Sequence, residues 1–225
     1  MLDVIKKAVK DGQKTLSEYE SRLVIESAGV LVAAAALAKT KKEAIQEAEK
    51  MGYPVVMKGC SAELSHKTEA GMVALNITNS EEAAQVYDEL TGKAKNLDGV
   101  LVEKMVRGSR EFVIGLSRDP QFGPCVMFGL GGIFTEALKD VTFRVAPLSM
   151  EDALEMIDEI KTNKLLGEFR GSPAVDRKAL AKALVGVGDL GMKYDSIAEI
   201  DINPLIICGD KPVAVDALVV LKSRE

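Results

Sequence analysis

The sequence predicts an α+β fold organised in two lobes. Three observations predict it. Helical and strand-like segments are segregated rather than strictly alternating. Four strand-like stretches, GVLVEKMV, REFVIGLS, PCVMFGL and VTFRVAP, follow one another between residues 99 and 147 with only turns or loops between them. The chain then closes on IAEIDINPLIIC and PVAVDALVVL, which read as two strands joined at Gly209 and Asp210.

The elements can be justified in order. LSEYESRLVIESA (16–28) carries a helical apolar stripe and stops at Gly29, a residue suited to a left-handed helix end. Thr40 and Glu43 form a capping box opening a helix that ends at Gly52. YPVVMK reads as a buried strand, MVALNI as the next, and a helix runs from about residue 80 to 95. The strand block predicts an antiparallel sheet. Residues 149–160 and 176–193 predict helices divided by a loop at FRGSP. The alanine run 33–36 carries no assignable pattern, and the chain shows neither a repeat nor a low-complexity linker.

At 225 residues and 47% hydrophobic composition the chain can bury a full core. Its 29 Lys+Arg and 34 Asp+Glu are mixed along the sequence, for a net charge of −5, so no basic stripe offers itself to a nucleic acid. The longest apolar run, residues 29–38, is too short to span a bilayer, and the N-terminus lacks the apolar block of a signal peptide. Cys60, Cys125 and Cys208 are odd in number and widely spaced, which fits a reducing compartment. A soluble, cytoplasmic protein is therefore expected, with no nucleic acid or membrane partner.

The closing hairpin carries the sharpest chemical signal. Glu199, Asp201 and Asn203 alternate with Ile200 and Ile202, so the polar side chains fall on one strand face. With Gly209 and Asp210 as the two turn residues, Asn203 lies directly opposite Asp216. Opposed side chains are about 5 Å apart at Cβ, within reach of one hard cation. Magnesium commonly takes one or two protein oxygens and completes its octahedron with water and phosphate. A solvated polar sheet face explains the same spacing.

Other candidates each carry a bland alternative. Lys58 ends an apolar strand before Gly59, so its ammonium can reach a phosphate or simply enter solvent. Glu103 and Glu111 flank the turn RGSR, as nucleotide contacts or as surface residues. FGLGGIF offers backbone amides to a phosphate, but a tight turn needs the same glycines. Arg144 projects opposite to Phe143 and Val145, toward phosphate or toward the surface. The only histidine, His66, lies in SAELSHKTEAGM among Ser61, Ser65, Lys67, Thr68 and Gly71, company suited to an anion-handling loop. A neutral imidazole is a competent nucleophile toward phosphorus at pH 7, although a lone surface histidine is the ordinary case. GVGDLG (186–191) matches a dinucleotide-binding pattern by letter only, because no strand precedes it and a helical stripe runs through it.

Taken together, LSEYESRLVIESAGV, GYPVVMKG, SHKTEAGMV, the long stretch from LVEKMVRGSREF to VTFRVAPL, IDINPL and AVDAL resemble the ATP-grasp family. Within it they resemble the β subunits of ADP-forming acetyl-CoA synthetases, relatives of succinyl-CoA synthetase β chains. The resemblance implies a nucleotide, ADP or ATP, bound between two α+β lobes. These would span about residues 20–98, after an N-terminal helical extension, and about 99–225. It implies that Lys58 contacts phosphates, the segment from Glu103 to Val106 the adenine, and Glu111 the ribose. Arg144 is counted with these nucleotide-binding residues, while Asn203 and Asp216 bind Mg²⁺. His66 matches the loop histidine of a phosphohistidine relay, and Asp201 stands where succinyl-type chains have Glu, leaving its role open. It further implies a separate α subunit with the CoA-binding and acyl-transfer domains, an α2β2 assembly, and the reaction acyl-CoA + ADP + phosphate ⇌ carboxylic acid + CoA + ATP. Two alternatives belong to other classes: a different ATP-grasp carboxylate ligase, and a non-catalytic nucleotide-sensing subunit.

Overall fold

The computed structural model describes residues 2–64, 70–132, 140–169 and 171–222. Helices α1 (Leu2–Lys10), α2 (Glu18–Glu26), α3 (Lys41–Met51), α4 (Ser80–Lys93), α5 (Met150–Glu159) and α6 (Arg177–Lys193) combine with two antiparallel sheets. The chain divides into two units: a smaller one of Leu16–Glu20 and Ala33–Met105, and a larger one of Met1–Thr15, Ser21–Val32 and Val106–Glu225.

The smaller unit is built on β1 (Ala35–Ala38), β2 (Val55–Cys60), β3 (Val73–Ile77) and β4 (Gly99–Lys104), in the spatial order β1-β4-β2-β3. Its core joins Ala44 and Ala48 of α3 and Ala83 and Leu90 of α4 to Val55, Met57, Val100 and Val102 of the central strands. Thr40 accepts from the Glu43 backbone, and Gly52 ends α3 at φ 75°. Residues 33–36, which had no assignable pattern, lead into edge strand β1; alanine has weak strand preference, so pairing with β4 decides its conformation. Two expectations are corrected here. β4, expected in the block with the next three strands, is central to the smaller sheet, so this unit runs to Met105 rather than ending near residue 98. The N-terminal segment is not a separate extension either, because residues through Thr15 belong to the larger unit.

The larger unit carries β5 (Glu111–Asp119), β6 (Gly123–Leu130), β7 (Val141–Val145), β8 (Ile197–Cys208), β9 (Lys211–Ala214) and β10 (Leu218–Leu221). The order is β10-β8-β5-β6-β7, with β9 also on β8. Leu116, Ile200 and Val126 stand directly opposite one another across β5, β8 and β6 and therefore share a face. α6 lies on that face: a Cβ at Gly191 would sit 2.5 Å from Leu116, and one at Gly188 would sit 3.4 Å from Val126. Gly186, also within GVGDLG, presses against the Ala28 carbonyl, so these glycines serve close packing of a helix and not a phosphate loop. Ser149 and Asp152 cap α5 reciprocally. No helix among the described residues is long and apolar enough to cross a membrane.

Candidate functional site

The predicted hairpin register is observed. Leu205 pairs with Ala214, Ile206 with Val213, Ile207 with Pro212 and Cys208 with Lys211 around the Gly209–Asp210 turn. The same register continues into β10, where Leu218 faces Asp201 and Val219 faces Ile200. Residues 215–217 interrupt the edge strand between these two ladders, and Asp216 lies in that gap at the register position of Asn203. There the Asp216 carboxylate accepts the backbone N–H of Ala217 at 2.9 Å.

Asn203 and Glu111 converge on Gly132, after β6. Gly132 donates its N–H to Asn203 Oδ1 at 3.3 Å, and a Cβ at Gly132 would lie 2.4 Å from Glu111 Oε2. Only a glycine, here at φ 68°, lets the Glu111 carboxylate come so close. Two positions along β8, burial pushes the Asp201 carboxyl up to about 6, with the negative charges of Glu199 and Asp216 adding to the shift. That crowding of negative charge is what a bound cation would relieve.

Asp201 stands opposite Leu218 and Gly115, Gly115 opposite Met127, and Met127 opposite Phe143, so this row occupies the sheet face away from α6. Arg144 belongs to the other face, opposite Val126, where Glu159 of α5 holds both its terminal guanidinium nitrogens. Glu159 also accepts the Thr142 hydroxyl at 2.7 Å. The structure therefore does not bring Arg144 to the Asn203 cluster. Period-two alternation separated Arg144 from Phe143 but carried no information on which face lay beneath the helices.

In the smaller unit, Lys58 faces away from α3 and α4. Its ammonium is 2.8 Å from Glu18 and 3.3 Å from Glu103, and all three side chains are buried. The ordinary alternative, a lysine leaving its strand for solvent, is thus overturned. Glu18 was not legible as a partner: it opens α2, forty positions from Lys58, in a segment whose only local signal was helical. Its neighbour Glu20 is spent on the helix start, accepting from the Ser17 backbone and hydroxyl at 3.0 Å. Val106 begins the larger unit immediately after β4 and Met105. His66 and residues 133–139 of the glycine-rich loop lie outside the described residues. No group of three or more His, Cys, Asp or Glu able to hold a metal ion occurs among the described residues.

The ATP-grasp domain family matches residues 7–221. The beta subunit of acetate–CoA ligase [ADP-forming] I from Pyrococcus furiosus is 44% identical over 97% of this chain and 97% of its own length. The chain belongs to the ATP-grasp family, among the beta subunits of ADP-forming acetate–CoA ligases. Solved structures agree with that placement. Acetyl-coenzyme A synthetase 1 of Ca. Korarchaeum cryptofilum, in complex with coenzyme A, Ca-AMPCP and HgCl+, superposes with a TM-score of 0.93 at 42% identity, covering 98% of this chain and 99% of that one. Another structure of the same protein, with coenzyme A and Mg-AMPPCP and its phosphohistidine segment pointing towards the nucleotide binding site, gives a TM-score of 0.86 at 42% identity and the same coverage. In this ATP-grasp chain the two clusters, Glu18–Lys58–Glu103 and Glu111–Gly132–Asn203–Asp216, are the parts the structure assembles from the candidates.

Proposed function

We propose that the chain is the nucleotide-binding β subunit of an ADP-forming acyl-CoA synthetase, catalysing, with a separate α subunit, acyl-CoA + ADP + phosphate ⇌ carboxylic acid + CoA + ATP. The observation that carries the reading is the in-register gap of the β8 edge, which sets Asp216 against Asn203 on the carboxylate-bearing face. An amide oxygen and a carboxylate are the small hard-oxygen set that magnesium accepts when phosphates and water complete its shell. Bound magnesium would supply neutralisation of the charge on the phosphoryl group in transfer.

The chain's own residues divide the remaining work. Lys58 meets the phosphates of ADP as a point charge, and its burial strengthens that attraction. The segment from Glu103 to Val106 takes the adenine and Glu111 the ribose. His66 receives or positions the phosphoryl group delivered by a phosphohistidine segment of the partner, as the arrangement described for the Korarchaeum protein suggests. The phosphorus–nitrogen bond of the phosphohistidine breaks, a new bond forms to the terminal ADP oxygen, and the freed ring nitrogen takes a proton from solvent, returning the imidazole to its neutral form.

The test is to co-purify the chain with its natural partner and measure ATP formation from acetyl-CoA, ADP and phosphate, then label the complex with radioactive ATP and Mg²⁺. ATP formation with acid-labile label on both chains, lost from this one in His66→Ala, supports the relay. Label confined to the partner leaves His66 a positioning role. Absence of ATP formation by the intact complex overturns the reading.

A further inference from the structure

We infer that Glu18 is a positioning residue of the nucleotide site: its carboxylate aims the Lys58 ammonium and keeps it charged for a phosphate. The inference rests on the proposed reading that Lys58 meets the phosphates of ADP. Nothing in the local sequence signals the contact between Glu18 and Lys58. Lys58 sits within β2, whose every residue is buried, and its side chain is 8% exposed. An ammonium removed from water at such a place needs opposite charge nearby to remain an ammonium. Glu18 supplies it at 2.8 Å, closer than Glu103 at 3.3 Å.

The geometry separates the work of the two carboxylates. Glu103 stands in β4 opposite Val56, two residues along the strand from the Leu101 that pairs with Lys58, so its attraction draws the ammonium along its own sheet. Glu18 belongs to a different element, the first turn of α2, and reaches the lysine from outside that sheet. Held from two elements, the ammonium has a fixed direction before any ligand arrives, and a fixed donor loses less freedom on binding than a free one. The capping pair Ser17 and Glu20 anchors the turn that carries Glu18. With the Glu18 charge removed, the ammonium loses the nearer of the two carboxylates described beside it.

The experiment compares binding of Mg-ADP and of adenosine to the purified wild-type chain and to Glu18→Gln, by titration calorimetry. Adenosine lacks the phosphates, so a loss of aim at Lys58 acts on one ligand and not on the other. Glu18→Gln is expected to weaken Mg-ADP about tenfold and leave adenosine unchanged, and Glu18→Asp to give a smaller loss of the same selectivity. Equal weakening of both ligands, or no weakening of either, overturns the inference, because a merely structural carboxylate would move them together. Should Glu18→Gln lack a cooperative melting transition, the Glu18→Asp ratio decides by the same criterion. A wild-type chain that binds Mg-ADP no more tightly than adenosine would instead overturn the reading on which the inference stands.

Discussion

Asn203 Oδ1 accepts the backbone N–H of Gly132 at 3.3 Å, tying the middle of β8 to the glycine-rich segment that follows β6. The same glycine lies against the Glu111 carboxylate. One small residue thus brings together side chains from two strands, leaving no room for a side chain of its own. Gly132→Ala is expected to displace Glu111 and weaken nucleotide binding at least about tenfold while costing about 1 kcal/mol in stability. Calorimetric titration with Mg-ADP and urea unfolding read the two effects separately.

Asp216 lies in the gap between β9 and β10, so it contributes no ladder of its own to the sheet. Asp216→Ala should therefore melt close to wild type. On the proposed magnesium assignment, its ATP synthesis should fall at least about 100-fold. An active Asp216→Ala enzyme would remove the magnesium assignment.

Asp201 gives a pH-dependent prediction. Its folded carboxyl titrates near 6, above its ordinary 3.8, so its neutral form contributes stability below about pH 4 that is lost as pH rises through 6. In EDTA, Asp201→Asn should be more stable than wild type at pH 7.5, by on the order of 2 kcal/mol. At pH 3.5 the difference should vanish. Urea unfolding at the two pH values measures it, and an equal effect at both would show that charge is not the cause.

Lys58→Met should destabilise the protein by about 3 to 5 kcal/mol, because the Glu18 and Glu103 carboxylates lose the ammonium that faces them in a buried site. Adding Glu18→Gln to that variant should recover part of the loss. Denaturant titration of the single and double variants tests this, and strictly additive losses would contradict it.

Arg110 donates to the carbonyls of Leu165, Gly167, Pro173 and Gly209, at 2.9 to 3.1 Å, and is 4% exposed. It holds the loop before α6 against the hairpin turn. Arg110→Ala should cost about 3 kcal/mol, and Arg110→Lys should restore little of it, since a single ammonium cannot span four carbonyls as the planar guanidinium does. Thermal melts of both variants are the measurement.

How much of this was legible in the sequence follows the range of the forces involved. Caps at Thr40, Ser149 and Asp176 act over three residues, so helix starts could be read locally. The hairpin register needed only the turn at Gly209 and Asp210 and the strand period of two, which is why the position of Asp216 opposite Asn203 was accessible. β1 was hidden because alanine states no preference until β4 pairs with it. β4 was misplaced because a strand's sequence does not name its neighbours. Glu18 and the covered face of Arg144 were beyond reach for the same reason: both depend on elements brought together by tertiary packing.

The division of the chain has a consequence for how the protein must be made and inherited. The backbone passes between the two units at residues 15/16, 20/21, 32/33 and 105/106, and Leu221 donates its N–H to Lys14 while Thr15 bridges Val220. No single cut in the gene separates one unit from the other. A ribosome that has released residues 1–105 has delivered Ile5, Ala8, Val24 and Ile25, which are buried in the finished molecule, long before the last strand emerges. The first segment translated therefore waits for the last, and exchange of one unit between relatives by simple recombination would leave both halves with uncovered apolar surface.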